Sequence, residues 1–133
     1  MGWSVSWSIP QRIYVVKIEG EITEADFIAG CEKSTEFVRE GIAPVHCIID
    51  AKFATIPHVN IAKAREIAQV FNEPKLGWVL MISANPIVRM VGSILSQLSN
   101  KRCKFVNTVD EALVLLQRDD LTLQNNIGYV YSR

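Results

Sequence analysis

Two short segments, Val45 to Ala51 and Trp78 to Ile82, are largely apolar and carry few polar interruptions. Such runs fit strands covered on both faces, because a half-exposed strand alternates with period two. Between them, Asn60 can cap a helix from Ile61 to about Asn72, with Ile61, Ala64, Ile67, Ala68 and Phe71 on one face. A strand, an amphipathic helix and a second strand imply a crossover and parallel pairing. This one feature excludes an all-helical bundle and an all-antiparallel sandwich.

The flanking sequence extends the pattern. Trp3, Val5 and Trp7 alternate with Ser4, Ser6 and Ser8, which predicts a half-buried strand. Pro10-Gln11 should turn it into a hairpin with Ile13 to Glu19. Gly20 is expected to end that strand. Thr23 and Asp26 then open a helix that buries Phe27, Cys31 and Val38 and closes at Gly41. Residues 52 to 59 read as a loop. Asn85-Pro86 starts another helix, with Ile87, Val91, Ile94, Leu95 and Leu98 at helical spacing. Cys103 to Val106 is a short fifth strand, and Thr108 with Glu111 forms a capping box for a last helix. The expected fold is α/β, a mixed, mostly parallel five-stranded sheet with about four helices. At 133 residues it is one domain.

Three stretches resemble the STAS domains, and within them the SpoIIAA-like branch. They are Ile13 to Gly20 followed by Ile22-Thr23-Glu24-Ala25-Asp26, the buried strand Val45 to Asp50, and Cys103 to Leu113 with its Glu111-Ala112-Leu113 helix start. The resemblance covers roughly residues 3 to 118. It implies a STAS-like domain over 1–118 and a non-enzymatic regulatory role; the polar residues 119–133 read as a C-terminal tail, although Ile127, Tyr129 and Tyr131 alternate and could add an edge strand. In phospho-switch members of the family, the loop after the third strand ends in a serine that a partner kinase phosphorylates. The matching stretch here is Thr55-Ile56-Pro57-His58-Val59-Asn60, and it contains no serine. Asn60 stands at the helix start, and Thr55 is the only hydroxyl.

The resemblance and the loop chemistry together mark a ligand- or partner-binding surface. Phe53, Thr55, His58 and Asn60 lie in the loop, Asn85 opens the next helix, and Lys63 and Arg65 follow Asn60. Helix starts there could receive an anionic or polar group on their backbone N–H groups. The partner would be a protein or a small apolar or anionic ligand. A second reading makes the chain a phosphoacceptor or small enzyme using Asp50 or His58. A third makes it a homodimer through the Trp3/Trp7 strand.

Charge and cysteine usage narrow the partner class. The chain carries 14 basic and 14 acidic groups. Residues 1–60 hold 5 basic and 8 acidic groups, 61–107 hold 7 and 2, and 108–133 hold 2 and 4. The net values are therefore −3, +5 and −2. Zero overall charge gives no basis for nucleic-acid binding, and the basic middle segment could attract an acidic partner. Cys31, Cys47 and Cys103 are odd in number and widely spaced, which fits buried thiols in a cytoplasmic protein rather than a disulfide framework. No Cys-x-x-Cys pair or histidine cluster predicts a metal, and no glycine-rich loop predicts a cofactor. Residues 78–98 are the most apolar stretch, but Asn85, Pro86, Arg89, Ser93 and Gln97 interrupt it, so no membrane span is expected. His46 lies inside a strand and should pack there or face solvent near its edge.

Overall fold

The computed structural model describes residues 2–21, 23–55, 72–83 and 103–123, and within 84–102 residues 85, 86, 89, 90, 93 and 97. The strands β1 (Gly2–Ile9), β2 (Ile13–Glu21), β3 (Val45–Thr55), β4 (Leu76–Ile82) and β5 (Cys103–Phe105) form one sheet in that order. β1 runs antiparallel to β2, and every other pair is parallel. The mixed, mostly parallel sheet expected from the sequence is therefore present. Helices α1 (Glu24–Glu40) and α2 (Val109–Asp119) are described in full, and a 3-10 turn, Leu121–Leu123, follows. Of the other two expected helices, the one from Ile61 lies outside the described residues apart from its last residue, Asn72. The one from Asn85 is described only in part.

The two apolar runs are buried on both sides, as their composition requires. On one face of the sheet, Val45, Cys47, Ala51, Val79 and Met81 join Tyr14, Val16 and Val38 of α1. On the other, Ile48, Leu80 and Ile82 join Ile13 and the α2 residues Ala112 and Leu116. Successive strand side chains point to opposite faces, so each central strand feeds both cores. Trp7 anchors the α1 side, with its ring 4.9 Å from Phe37 and edge-on to Tyr14 at 6.2 Å.

Local signals set the boundaries. Thr23 and Asp26 cap α1 reciprocally, each backbone N–H donating to the other's side chain at 3.1 Å. At α2, the Thr108 hydroxyl accepts from Glu111 N–H, but the Glu111 carboxylate reaches Asn107 N–H rather than Thr108. In the β1–β2 turn, Arg12 N–H donates to Ile9 carbonyl at 3.0 Å. Pro10 presets the first central residue, and Gln11 takes φ 64°, the left-handed conformation that a type II turn needs.

Three boundaries differ from expectation. β2 does not stop at Gly20, which adopts φ 73° and lets the strand run on to Glu21. β3 does not end at Ala51, because Phe53, Ala54 and Thr55 pair with Glu19, Gly20 and Glu21. Residues 52–55, read as loop, are strand. Finally, the segment after α2 does not start as a free polar tail. Leu123 is fully buried in the α2-side core, and Asp120 is bonded into the body.

Candidate functional site

The C-terminal ends of the parallel strands carry the surface that the sequence singles out. β4 pairs with β3 only as far as Ile82 opposite Asp50. β3 continues beyond that point with β2 as its partner, so Lys52, Phe53 and Thr55 stand past the end of β4. Phe53 is 72% exposed, and the Lys52 ammonium lies 5.5 Å from its ring centroid. Thr55 is exposed and faces Glu21 in the strand register. Asp50 is half-buried, and its carboxylate accepts the Lys52 N–H at 3.3 Å.

The neighbouring strand end is held by hydrogen bonds. Ser83 is buried, and its hydroxyl accepts Asn85 N–H at 3.0 Å. Arg89 N–H donates to Asn85 carbonyl at 3.1 Å, the first helical bond after Asn85-Pro86. Arg89 Nε donates to Ser83 carbonyl at 2.9 Å, and its guanidinium sits 4.8 Å from the Phe105 ring. The structure thus puts Phe53, Thr55 and Asn85 at the carboxyl ends of the parallel strands. His58, Asn60, Lys63 and Arg65 lie outside the described residues.

The basic middle segment is partly accounted for by the fold. Lys75 donates to the carbonyls of Arg39 and Gly41, capping the C-terminus of α1. Arg89 is engaged as above, and Lys104 lies 5.5 Å from the Trp78 ring. These three cations serve packing and capping.

A second polar cluster, at the opposite end of the sheet, escaped the sequence reading. His46 is 2% exposed at the start of β3. Trp78 N–H donates to its Nδ1 at 3.0 Å, so the ring proton is on Nε2, which donates to Asp120 Oδ2 at 2.8 Å. Arg12, also buried, donates to the same carboxylate at 2.9 Å, to the Thr122 hydroxyl at 2.7 Å and to Pro44 carbonyl at 3.2 Å. Asp120 further accepts from the Thr122 N–H and hydroxyl. Gly77 makes room for the ring, since a Cβ there would lie 2.6 Å from His46 Nδ1.

Burial holds His46 below its ordinary pKa, against the opposing pull of Asp120, and Arg12 adds to the lowering. Burial pushes Asp120 up, but hydrogen bonds from Thr122 and His46 outweigh it and leave the carboxyl low. Both ring nitrogens of His46 are hydrogen-bonded within the fold, and among the described residues no nucleophile meets them. The cluster's only sequence signal was a histidine in a strand with two covered faces, where a polar ring needs partners.

All three cysteines are free, with Cys47 buried and Cys31 and Cys103 half-buried. No group of three metal-ligating side chains gathers among the described residues. None of the described helices is long and apolar enough to cross a membrane.

No family model matches the chain, and no curated protein matches it. Solved structures do. An uncharacterized DUF3478-family protein from Shewanella loihica PV-4, described as having a SpoIIAA-like fold, superposes with a TM-score of 0.61 at 14% identity, over 86% of this chain and 92% of its own. The fold is SpoIIAA-like. The unphosphorylated anti-sigma factor antagonist SpoIIAA superposes with a TM-score of 0.57 at 15% identity, over 87% of this chain and 96% of that one. The phosphorylated Bacillus cell fate determinant SpoIIAA gives 0.56 at 14% identity, over 86% and 99%. Identities this low carry the architecture and not the role.

Proposed function

We propose that the protein is a non-enzymatic, cytoplasmic regulatory module that binds a protein partner at the end of the sheet where β3 outruns β4. The observation behind this reading is Phe53, an aromatic ring 72% exposed on a paired and therefore rigid strand. Open α/β sheets bind at the carboxyl ends of their strands, and exposed aromatics are frequent interface anchors. Thr55 and Asn85 belong to the same end of the sheet, and the positive charge of the 61–107 segment, Lys63 and Arg65 included, favours an acidic partner.

In this reading the surface works without a phosphate switch. A phosphate on Thr55 would stand beside Glu21 on the neighbouring strand, where like charges repel. SpoIIAA itself has been solved in both phosphorylated and unphosphorylated forms.

The test is site-specific photo-crosslinking in cells, with the crosslinker at position 53 and, as a control, at Val114, which is exposed on α2. One protein captured at 53 and not at 114, with capture abolished by charge reversal at Lys63 and Arg65, is the expected result. Equal capture at both positions overturns it. Asp50→Ala, which removes the acid of the phosphoacceptor reading, should retain the crosslink; its loss with the fold intact would favour that reading instead.

A further inference from the structure

The two edges of the sheet are built in opposite ways. β5 closes one edge with three residues, and its middle residue is Lys104. Short, charged edge strands resist pairing with other chains. β1 forms the other edge with eight residues, Gly2–Ile9, and has neither a charge nor a proline. Its one irregularity is a shift between Trp7 and Ile9, at the turn end. The remaining register with β2, Gly2 to Trp7, is unbroken. Among the described residues, no strand covers the outer side of β1. An edge of this kind is a template for another strand.

The sequence of that edge also specifies its occupant. Trp3-Ser4-Val5-Ser6-Trp7 reads the same in both directions. Antiparallel pairing of two such strands about Val5 sets Trp3 of one copy opposite Trp7 of the other, Ser4 opposite Ser6, and Val5 opposite itself. Every residue then meets its own kind. The tryptophans stay together on the α1 face, where Trp3 lies against Gly30 and Trp7 against Phe37. The serines stay together on the exposed face. A two-fold axis requires a surface complementary to itself, and cross-strand aromatic pairs favour the match. A one-residue slip would place indoles opposite serines.

We infer that two copies of the chain join edge to edge through β1, antiparallel with the two-fold axis at Val5, making one continuous ten-stranded sheet. The contact is separate from the Phe53 surface, so the two proposals stand or fall independently. A single strand pair is a small interface, which makes the dimer concentration-dependent.

Analytical ultracentrifugation of the full chain over a concentration series tests this. The expected result is a shift with concentration toward twice the 14.9 kDa chain mass. Ser4 and Ser6 are exposed, so charges there leave the core intact. Ser4→Glu with Ser6→Glu sets like charges opposite each other and should abolish the dimer, with an unchanged urea midpoint at concentrations where the wild type is monomeric. Ser4→Glu with Ser6→Lys sets opposite charges face to face in this register and should restore it. A dimer that survives the double glutamate variant overturns the proposal. So does a monomer at every concentration. Slow exchange in that monomer of the β1 amides that point away from β2 would assign the edge to another segment of the same chain.

Discussion

The imidazole of His46 and the carboxylate of Asp120 meet at 2.8 Å although 74 residues separate them. The contact ties the start of β3 to the segment after α2, and Arg12 from the β1–β2 turn closes the cluster on the same carboxylate. Three parts of the chain with no local relationship are fixed at one buried point. Asp120→Ala would leave the buried Arg12 guanidinium without its counter-charge and His46 Nε2–H without an acceptor. Removing one partner from a buried pair costs about 3–5 kcal/mol. Asp120→Asn keeps an acceptor oxygen and should cost less, about 1–3 kcal/mol. Urea unfolding of both variants checks the order. Equal, sub-kilocalorie losses would show that the cluster does not hold the end of the chain.

The same cluster sets a pH dependence. Trp78 N–H donates to an unprotonated Nδ1, so protonating His46 breaks that bond. The native pKa lies below the ordinary histidine value of 6.5, and the unfolded state therefore takes up its proton first as pH falls. Stability contributed by neutral His46 is present above pH 6.5 and is lost as pH drops through the lowered native pKa. The slope is at most about 1.4 kcal/mol per pH unit for one proton. Asp120, also lowered, adds a second loss of the same sign below its ordinary 3.8. Urea midpoints from pH 7.5 to 5 should fall in the wild type and flatten in His46→Gln, with His58→Gln as the control. An equal fall in wild type and His46→Gln would reject the assignment.

The legible parts of this chain are those whose cause is local. Period-two alternation found β1, the Thr23–Asp26 box found the start of α1, and the two apolar runs found the doubly covered strands β3 and β4. The His46–Asp120–Arg12 cluster was illegible because its members are 74 and 108 residues apart. An Asp after a helix or an Arg after a turn is ordinary by itself. The extra length of β3 was hidden for a related reason. Lys52 and Phe53 show no strand pattern of their own, and β2 imposes the extended backbone through Glu19–Glu21. Of the candidate site, Phe53, Thr55 and Asn85 reach the carboxyl end of the sheet because the parallel register puts the ends of β3 and β4 there. The buried Leu123 shows the same limit, since α2 hides it from a reading that saw only polar neighbours.

The thiols should be unreactive in the folded protein. Burial raises all three, and it carries Cys31 and Cys47 to about 12. Glu32 adds to the rise at Cys31. At pH 8 a thiol of that pKa is about one part in ten thousand thiolate, and the thiolate is the nucleophile. Iodoacetamide labelling followed by mass spectrometry should modify native Cys31 and Cys47 at least a hundredfold more slowly than the same residues in urea. Native labelling at the unfolded rate would mean that α1 opens freely from the sheet.

Tyr14 offers a change of the opposite sign. Its ring is fully buried between β1, α1 and the sheet; among the described residues its hydroxyl makes no hydrogen bond of good geometry, with Ser34 and Cys47 as its polar neighbours. Burial holds the hydroxyl neutral, with the Cys47 thiol as a further influence in the same direction. An unpaired buried hydroxyl has lost its water without recompense, a cost of about 1–3 kcal/mol. Tyr14→Phe removes that cost and keeps the edge-on contact with Trp7 and the tilted one with Phe37. The variant should unfold at the same or a higher urea concentration than the wild type, by up to about 1 kcal/mol, whereas Tyr14→Leu should lose the aromatic packing and unfold earlier. A Tyr14→Phe protein less stable than wild type by more than a kilocalorie would show that the hydroxyl is bonded in solution.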